Sequence, residues 1–248
     1  MLFSKLKILK DHGSQYIKDL DAVVLPETFR GKPMLTSAGL EIRELDETVA
    51  LCPTGALSGK PLSIDMGRCI FCGECAMRHP QNIRFTSDFR MAAGRREELV
   101  VTADQEAAGA GWNVKKLFSG SLKLRQVSAG GDNSCEMELN ASGNVNFDLS
   151  RYGIEFMASP RHCDGIVITG PITSNMARET EAVFAAIPQP RLIIVVGTDA
   201  ISGGLFAGSP AVDRSFFERH TPDLYVPGNP AHPLTFIDGV LRLTGRKG

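Results

Sequence analysis

The sequence predicts an α/β protein, with an open and mostly parallel sheet in its C-terminal half behind a smaller α+β region. From about residue 122 onward, short β-rich runs alternate with segments of helical period, the pattern of strands joined by crossover helices. Two of these runs, Gly165–Thr169 and Leu192–Val196, are continuous in apolar and β-branched residues, as strands buried on both faces are. Before about residue 90, proline and glycine punctuate the chain so closely that only short strands fit between them.

Each element has its own signal. The opening LFSKLKILKDHGSQYIKDL is helical in period, with Leu2, Phe3, Leu6 and Leu9 set against Lys5, Lys7 and Lys10. It reads as a surface helix packed on its own domain, and a helix resting on a membrane surface or a partner is the alternative. A turn follows at FRGKP, residues 29–33, and strands are expected at 62–64 and 83–86. Residues 91–121 read as a connector, with the polar stretches MAAGRREE and TADQEAAGAG around a short strand at 99–102. Strand 122–127 then opens the α/β part, with helices at 136–141, 175–186 and Pro233–Leu243. The expected units are residues 1–90, 91–121 and 122–248.

Composition narrows the class. The chain has 248 residues, a formal net charge of −1 and 43% hydrophobic residues, which suits a globular protein of one large or two smaller domains. Near-zero charge without a basic block argues against nucleic acid as the main partner. No apolar run reaches the length of a transmembrane helix, and the N-terminus lacks a secretory pattern, so the expected compartment is cytoplasmic.

The cysteines carry the chemistry. Cys69, Cys72 and Cys75 stand in CIFCGECAMRHP, after an isolated Cys52-Pro53. Bacterial-type iron-sulfur runs read C-x2-C-x2-C-x3-C-P, and in two-cluster proteins the last cysteine of each run serves the other run's cluster. Here the fourth slot of the run holds His79, while Cys52-Pro53 fills the matching slot of an earlier run whose remaining positions are Ile42, Leu45 and Thr48. One cluster is thus expected to be lost and one 4Fe-4S cluster kept, on Cys52, Cys69, Cys72 and Cys75. A structural zinc and disulfides are the competing readings, although zinc ribbons usually bring two separate C-x2-C pairs and the chain has none of the features of a small secreted disulfide scaffold. Gly67 and Gly73 suit a tight loop whose amides approach the sulfides, Ile70 and Phe71 would shield it, and His79 reads as a packing or surface histidine.

Two stretches of the chain resemble known families. FRGKP and LCPTGALSGKPLSIDMGRCIFCGECAMRHP resemble the two-cluster ferredoxin subunits of respiratory complex I and of membrane-bound nickel-iron hydrogenases of the formate hydrogenlyase type. SPRHCDGIVITGPITSNM, PQPRLIIVVGTDAISGGLF and DLYVPGNPAHPLTFIDGVLRL, in that order, resemble the complex I 20 kDa subunit and the small subunit of those group 4 hydrogenases. The resemblance implies a ferredoxin-like domain fused to a flavodoxin-like domain that docks on a large subunit. It also implies a second, proximal cluster whose ligand positions fall here on Asp132, Cys135, Asp199 and Asn229. Only Cys135 is a thiol. Clusters take thiolates, so this site reads as degenerate: its oxygen groups would hydrogen-bond across an empty site or hold a hard divalent cation, and a retained cluster is the third reading.

Other residues are assigned structural roles. Cys163 is expected as a small buried hydrophobe, Gly203, Gly204 and Gly228 as tight loops, and Arg161 and His162 as a salt bridge and cap or a reach toward a partner or quinone. No nucleophile-base pair, phosphate loop or dinucleotide fingerprint is present, so catalysis by this chain alone is not expected. The expected function is an electron-transfer subunit of a complex I-like or hydrogenase-related assembly, peripheral on the cytoplasmic membrane. Its expected partners are a large-subunit homologue and the other ferredoxin and membrane subunits. A non-redox docking scaffold and a stand-alone ferredoxin-type carrier are the alternatives.

Overall fold

The computed structural model describes residues 2–13, 15–40, 42–104 and 111–247. The chain opens with α1 (Leu2–His12), which no other element covers: every described side chain in it is exposed. The expectation that this helix packs on its own domain is therefore not met. Its described apolar side chains are all exposed, and Gly13, at φ 60°, ends the helix before the chain reaches the body.

The N-terminal half is built from small antiparallel sheets. It comprises β1 (Pro33–Leu35), α2 (Ile42–Leu51), β2 (Leu57–Gly59), β3 (Leu62–Asp65), α3 (Glu74–Arg78), β4 (Ile83–Phe85) and β5 (Val100–Thr102). Strand β1 pairs with β4, while β2, β3 and β5 form a three-stranded sheet in that order. Strand β5 comes from the stretch read as a connector. That stretch also protects an edge of the large sheet, where Ala93 exchanges backbone hydrogen bonds of 3.0 and 2.9 Å with Tyr225. Residues 105–110 of the same stretch lie outside the described residues.

The C-terminal half is the predicted open sheet. It runs β6 (Leu122–Ser128), α4 (Ser134–Ala141), β7 (Ile154–Phe156), β8 (Gly165–Thr169), α5 (Ser174–Ala186), β9 (Leu192–Val196), α6 (Thr198–Ser202), α7 (Ser215–Arg219), β10 (Leu224–Val226) and α8 (Pro233–Leu243). All pairings are parallel and the order is β10-β9-β8-β6-β7, the flavodoxin-like arrangement. The strand order reverses between β6 and β8, and in such sheets the crevice at that point, beyond the carboxyl ends, receives ligands.

Alternation along the strands explains why both faces are covered. Leu122, Leu124, Val167, Leu192, Ile194 and Val196 point to the face that packs α4 and α8 through Leu139, Ile237 and Val240. Val127, Ile166, Ile168, Ile193 and Val195 point to the opposite face, where Phe184 and Phe216 meet Leu45, Ile64, Met66 and Leu99 of the N-terminal half. Burying such a side chain contributes about 1.5–3 kcal/mol, so the two halves hold each other through one continuous apolar layer.

Candidate functional site

The four cysteines of the N-terminal half line a single hollow that opens to solvent. Cys52 leaves the end of α2; Cys69, Cys72 and Cys75 follow β3 on a loop that turns into α3. The turn depends on two backbones in the left-handed region, Phe71 at φ 54° and Gly73 at φ 84°. The rest of the wall is largely apolar, with Leu51, Pro53, Ala56, Leu57, Ile64, Ile70 and Phe85. Cys69 is buried, Cys52 and Cys75 are half-buried and Cys72 is exposed. Backbone N–H groups already point at sulfur: Ala56 donates to Cys52 Sγ and Phe71 to Cys69 Sγ, each at 3.3 Å.

Electrostatics makes this hollow a poor home for bare thiolates. Burial pushes Cys69 up to about 12 and Cys75 up to about 11, and repulsion from the neighbouring sulfurs adds to it. A bound metal centre offsets both effects, because its positive charge draws off the thiol protons. Among the described residues, no group of three or more His, Cys, Asp or Glu is drawn together tightly enough for one metal ion. Four thiols line one hollow, and two backbone amides donate to their sulfurs.

The positions that the sequence pattern assigns to a first cluster run are occupied by ordinary packing. Thr48 Oγ1 and His79 Nε2 lie 2.8 Å apart, both residues are buried, and Leu45 sits in the core beside them. His79 is thus a satisfied core histidine. The side chain of Ile42 lies outside those described.

The loop that carries Cys69, Cys72 and Cys75 is held by a residue that sequence reasoning missed. Asp65 accepts from the Gly67 amide at 2.9 Å and from the Arg96 guanidinium at 2.8 and 2.6 Å, and its carbonyl accepts from the Cys69 amide at 2.9 Å. The signal was an aspartate two residues before a glycine, the mark of a side-chain-stabilised turn.

The second group gathers at the carboxyl edge of the large sheet. Cys135 is buried at the start of α4, wedged against Gly197 so closely that a Cβ at that glycine would collide with its sulfur. Burial pushes its thiol up to about 11, with Glu136, Asp132 and Asp199 raising it further by their charge. Asp199, on α6, is half-buried and raised by that burial and then by Asp132. Asp132 is exposed, and its carboxylate accepts from the Ser134 hydroxyl and amide at 2.6 and 2.9 Å, which lowers its pKa. Asn229 faces elsewhere: with Gly228, Pro230 and His232 it lines a separate cleft shared with Arg30, Phe71 and Cys72. Among the described residues, no hydrogen bond links Asp132, Cys135, Asp199 and Asn229 to one another.

The two groups are neighbours. Thr198 Oγ1 donates to the carbonyl of Cys69 at 2.8 Å and to that of Gly228 at 3.2 Å, so one hydroxyl joins the Cys69 loop to the carboxyl edge of β9 and β10. A buried carboxylate, Glu136, was also missed: Ser128 and Thr169 donate their hydroxyls to it at 2.6 and 2.7 Å, at the point where the strand order reverses. Arg161 and His162 lie at the opposite, amino-terminal edge, exposed beside a shallow hollow and without an ion pair among the described residues. Cys163 is buried as expected, its thiol donating to the Ser159 carbonyl at 3.3 Å.

Comparison with known proteins matches residues 133–243 to the family described as the NADH ubiquinone oxidoreductase 20 kDa subunit. An NADH-quinone oxidoreductase subunit of Desulfovibrio desulfuricans is 40% identical over 109 residues, 44% of this chain and 59% of that protein. A probable membrane-bound hydrogenase subunit of Pyrococcus furiosus is 30% identical over 126 residues, 51% of this chain and 75% of that protein. An uncharacterized protein of Methanocaldococcus jannaschii is 31% identical over 132 residues, 52% of this chain and 88% of that protein. The chain spans 59% to 66% of the length of three NADH-quinone oxidoreductase relatives, the Desulfovibrio protein among them. A chain in the structure of the membrane-bound sulfane sulfur reductase, an archaeal respiratory membrane complex, aligns with a TM-score of 0.46 at 23% identity, covering 52% of this chain and 71% of that one.

Proposed function

We propose, on the premise that the chain belongs to the family of the NADH ubiquinone oxidoreductase 20 kDa subunit, that it is an electron-transfer subunit of a membrane-associated oxidoreductase complex. In this reading Cys52, Cys69, Cys72 and Cys75 hold one 4Fe-4S cluster within residues 1–90, residues 91–121 connect, and residues 122–248 form the small-subunit domain. The observation that carries the reading is that these four thiols share one apolar hollow. When bound there, the cluster supplies one-electron exchange.

The chain's own residues supply the setting. The Ala56 and Phe71 amides donate to cysteine sulfur, and the apolar wall keeps water away from Cys69. Asp65 and Arg96 fix the ligand loop, and Thr198 ties its Cys69 carbonyl to the edge of the large sheet. At that edge the second site lacks the thiolates a cluster needs, which supports a single-cluster protein whose small-subunit domain serves to dock. The proposed partners are a homologue of the hydrogenase or complex I large subunit, at the face around Asp132 and Asp199, and the ferredoxin and membrane subunits of the same complex. The proposed location is the cytoplasmic side of the membrane, held through that complex.

Anaerobic reconstitution tests the cluster count. The full chain is expected to bind about four irons and to give one reduced paramagnetic signal. About eight irons with two signals would mean that the carboxyl-edge site also holds a cluster, and stoichiometric zinc without iron would sink the redox reading.

A further inference from the structure

We propose that α1 is a membrane-surface anchor that lies along an anionic lipid bilayer by its own contacts. Its apolar side chains are displayed and uncovered: Phe3 is 85% exposed, Leu9 68%, Ile8 56% and Leu6 53%. At 3.6 residues per turn, Phe3, Leu6 and Leu9 follow one stripe along the helix, with Lys5 and Lys7 on its two borders, Lys10 at its C-terminal end and Ile8 outside it. An apolar stripe with basic borders is what an interfacial helix needs, since lysine stems can lie along the acyl boundary while their ammonium groups reach the phosphates.

Charge selects lipid over a protein groove. Helix α1 has three lysines and one aspartate, in a chain whose net charge is −1, so the helix is net positive while the rest of the molecule is net negative. A planar anionic surface meets both borders of the stripe with the same chemistry.

The helix is also rooted. After Gly13 the chain is pinned to the C-terminal half: the Ile17 amide donates to the Asn146 carbonyl at 2.9 Å, Arg151 donates to the Ile17 carbonyl, and the Arg151 guanidinium lies 5.2 Å from the Tyr16 ring centroid. The anchor thus leaves the body beside the segment between α4 and β7. This attachment does not depend on the cluster or on a partner subunit. No described helix is long and apolar enough to cross a membrane, and a surface-lying helix requires none.

Flotation of the full purified chain with vesicles tests it. The protein is expected to float with phosphatidylglycerol–phosphatidylcholine vesicles, and about tenfold less with phosphatidylcholine alone or at about 0.5 M salt. The F3E/L6E variant should lose binding, and K5E/K7E should lose the anionic preference, with near-ultraviolet circular dichroism unchanged in both. Failure of the wild type to float with anionic vesicles overturns the proposal, as does wild-type flotation by F3E/L6E. If the wild type ignores vesicles while F3E/L6E loses its large-subunit partner, the helix is a protein-docking element and the lipid proposal is wrong.

Discussion

Arg30 lies along the ligand loop, its Nη1 donating to the Phe71 carbonyl at 3.2 Å and its Nε 2.8 Å from where a Cβ on Gly73 would stand. A fixed positive charge there favours the reduced form of a cluster, which carries one more negative charge. Arg30→Gln should therefore lower the midpoint potential in a redox titration while leaving iron content unchanged, and an unshifted potential would remove Arg30 from the electrostatics of the site. The two kinds of cysteine differ in the same assay. Cys72→Ser should strip or convert the cluster, because Cys72 lines the four-thiol hollow. Cys135→Ser should keep the iron, because Cys135 is buried against Gly197 and is not among the residues that line the four-thiol hollow. Equal iron loss from both would show that Cys135 is a ligand.

Helix α8 illustrates how a single cap makes an element sensitive to acid. His232 Nδ1 accepts from the Leu234 amide at 3.2 Å, which requires an unprotonated ring, and burial lowers its pKa from 6.5 to about 4. As pH falls below 6.5 the unfolded chain takes up a proton that the folded chain refuses until about 4. The contribution is therefore complete above 6.5 and lost as pH falls through that window. In urea titrations across the window, His232→Asn, which keeps an acceptor but does not titrate, should lose less stability than the wild type; parallel losses would contradict the cap's role. At neutral pH, His232→Ala should cost about 1 kcal/mol. The same scale shows what periodicity can detect. The runs at Gly165–Thr169 and Leu192–Val196 are strands to the residue, because five consecutive apolar or β-branched positions have no other stable use here. Strand β10 and helix α2 were missed, the first because three residues carry no period, the second because its residues read as a decayed ligand run.

For the whole molecule, the shared apolar layer matters more than the segment boundaries. Ile166, Ile168, Ile193 and Val195 would be stripped of Ile64, Met66 and Leu99 if residues 122–248 were expressed alone. That fragment should aggregate or bind hydrophobic dye, whereas the full chain should unfold in one cooperative transition; a soluble, monomeric fragment would show that the halves are separable. Docking belongs to this scale too. Asp199 sits half-buried at the carboxyl edge, next to the exposed Leu205 and Phe206. Charge reversal there by Asp199→Lys should weaken co-purification with a large-subunit homologue without changing iron content; unchanged recovery would move the interface elsewhere.

Donor chemistry and side-chain period are local properties, and for that reason the candidate donor residues could be named, and the runs able to be buried strands were legible, before any fold was known. The oxygen groups of Asp132, Asp199 and Asn229 could also be placed where thiols would be needed, although that reading rested on resemblance rather than spacing. How these pieces meet is a matter of tertiary structure. The Thr48–His79 contact spans 31 positions and the Thr198–Cys69 bond spans 129, so neither leaves a trace in any window of the chain. The same holds for Glu136, whose partners lie on two strands brought together by the reversal of strand order, and for α1, whose exposed stripe looks in sequence like that of any packed surface helix. Whether an apolar face is covered depends on what the rest of the fold places opposite it, and that is a property of topology rather than of composition.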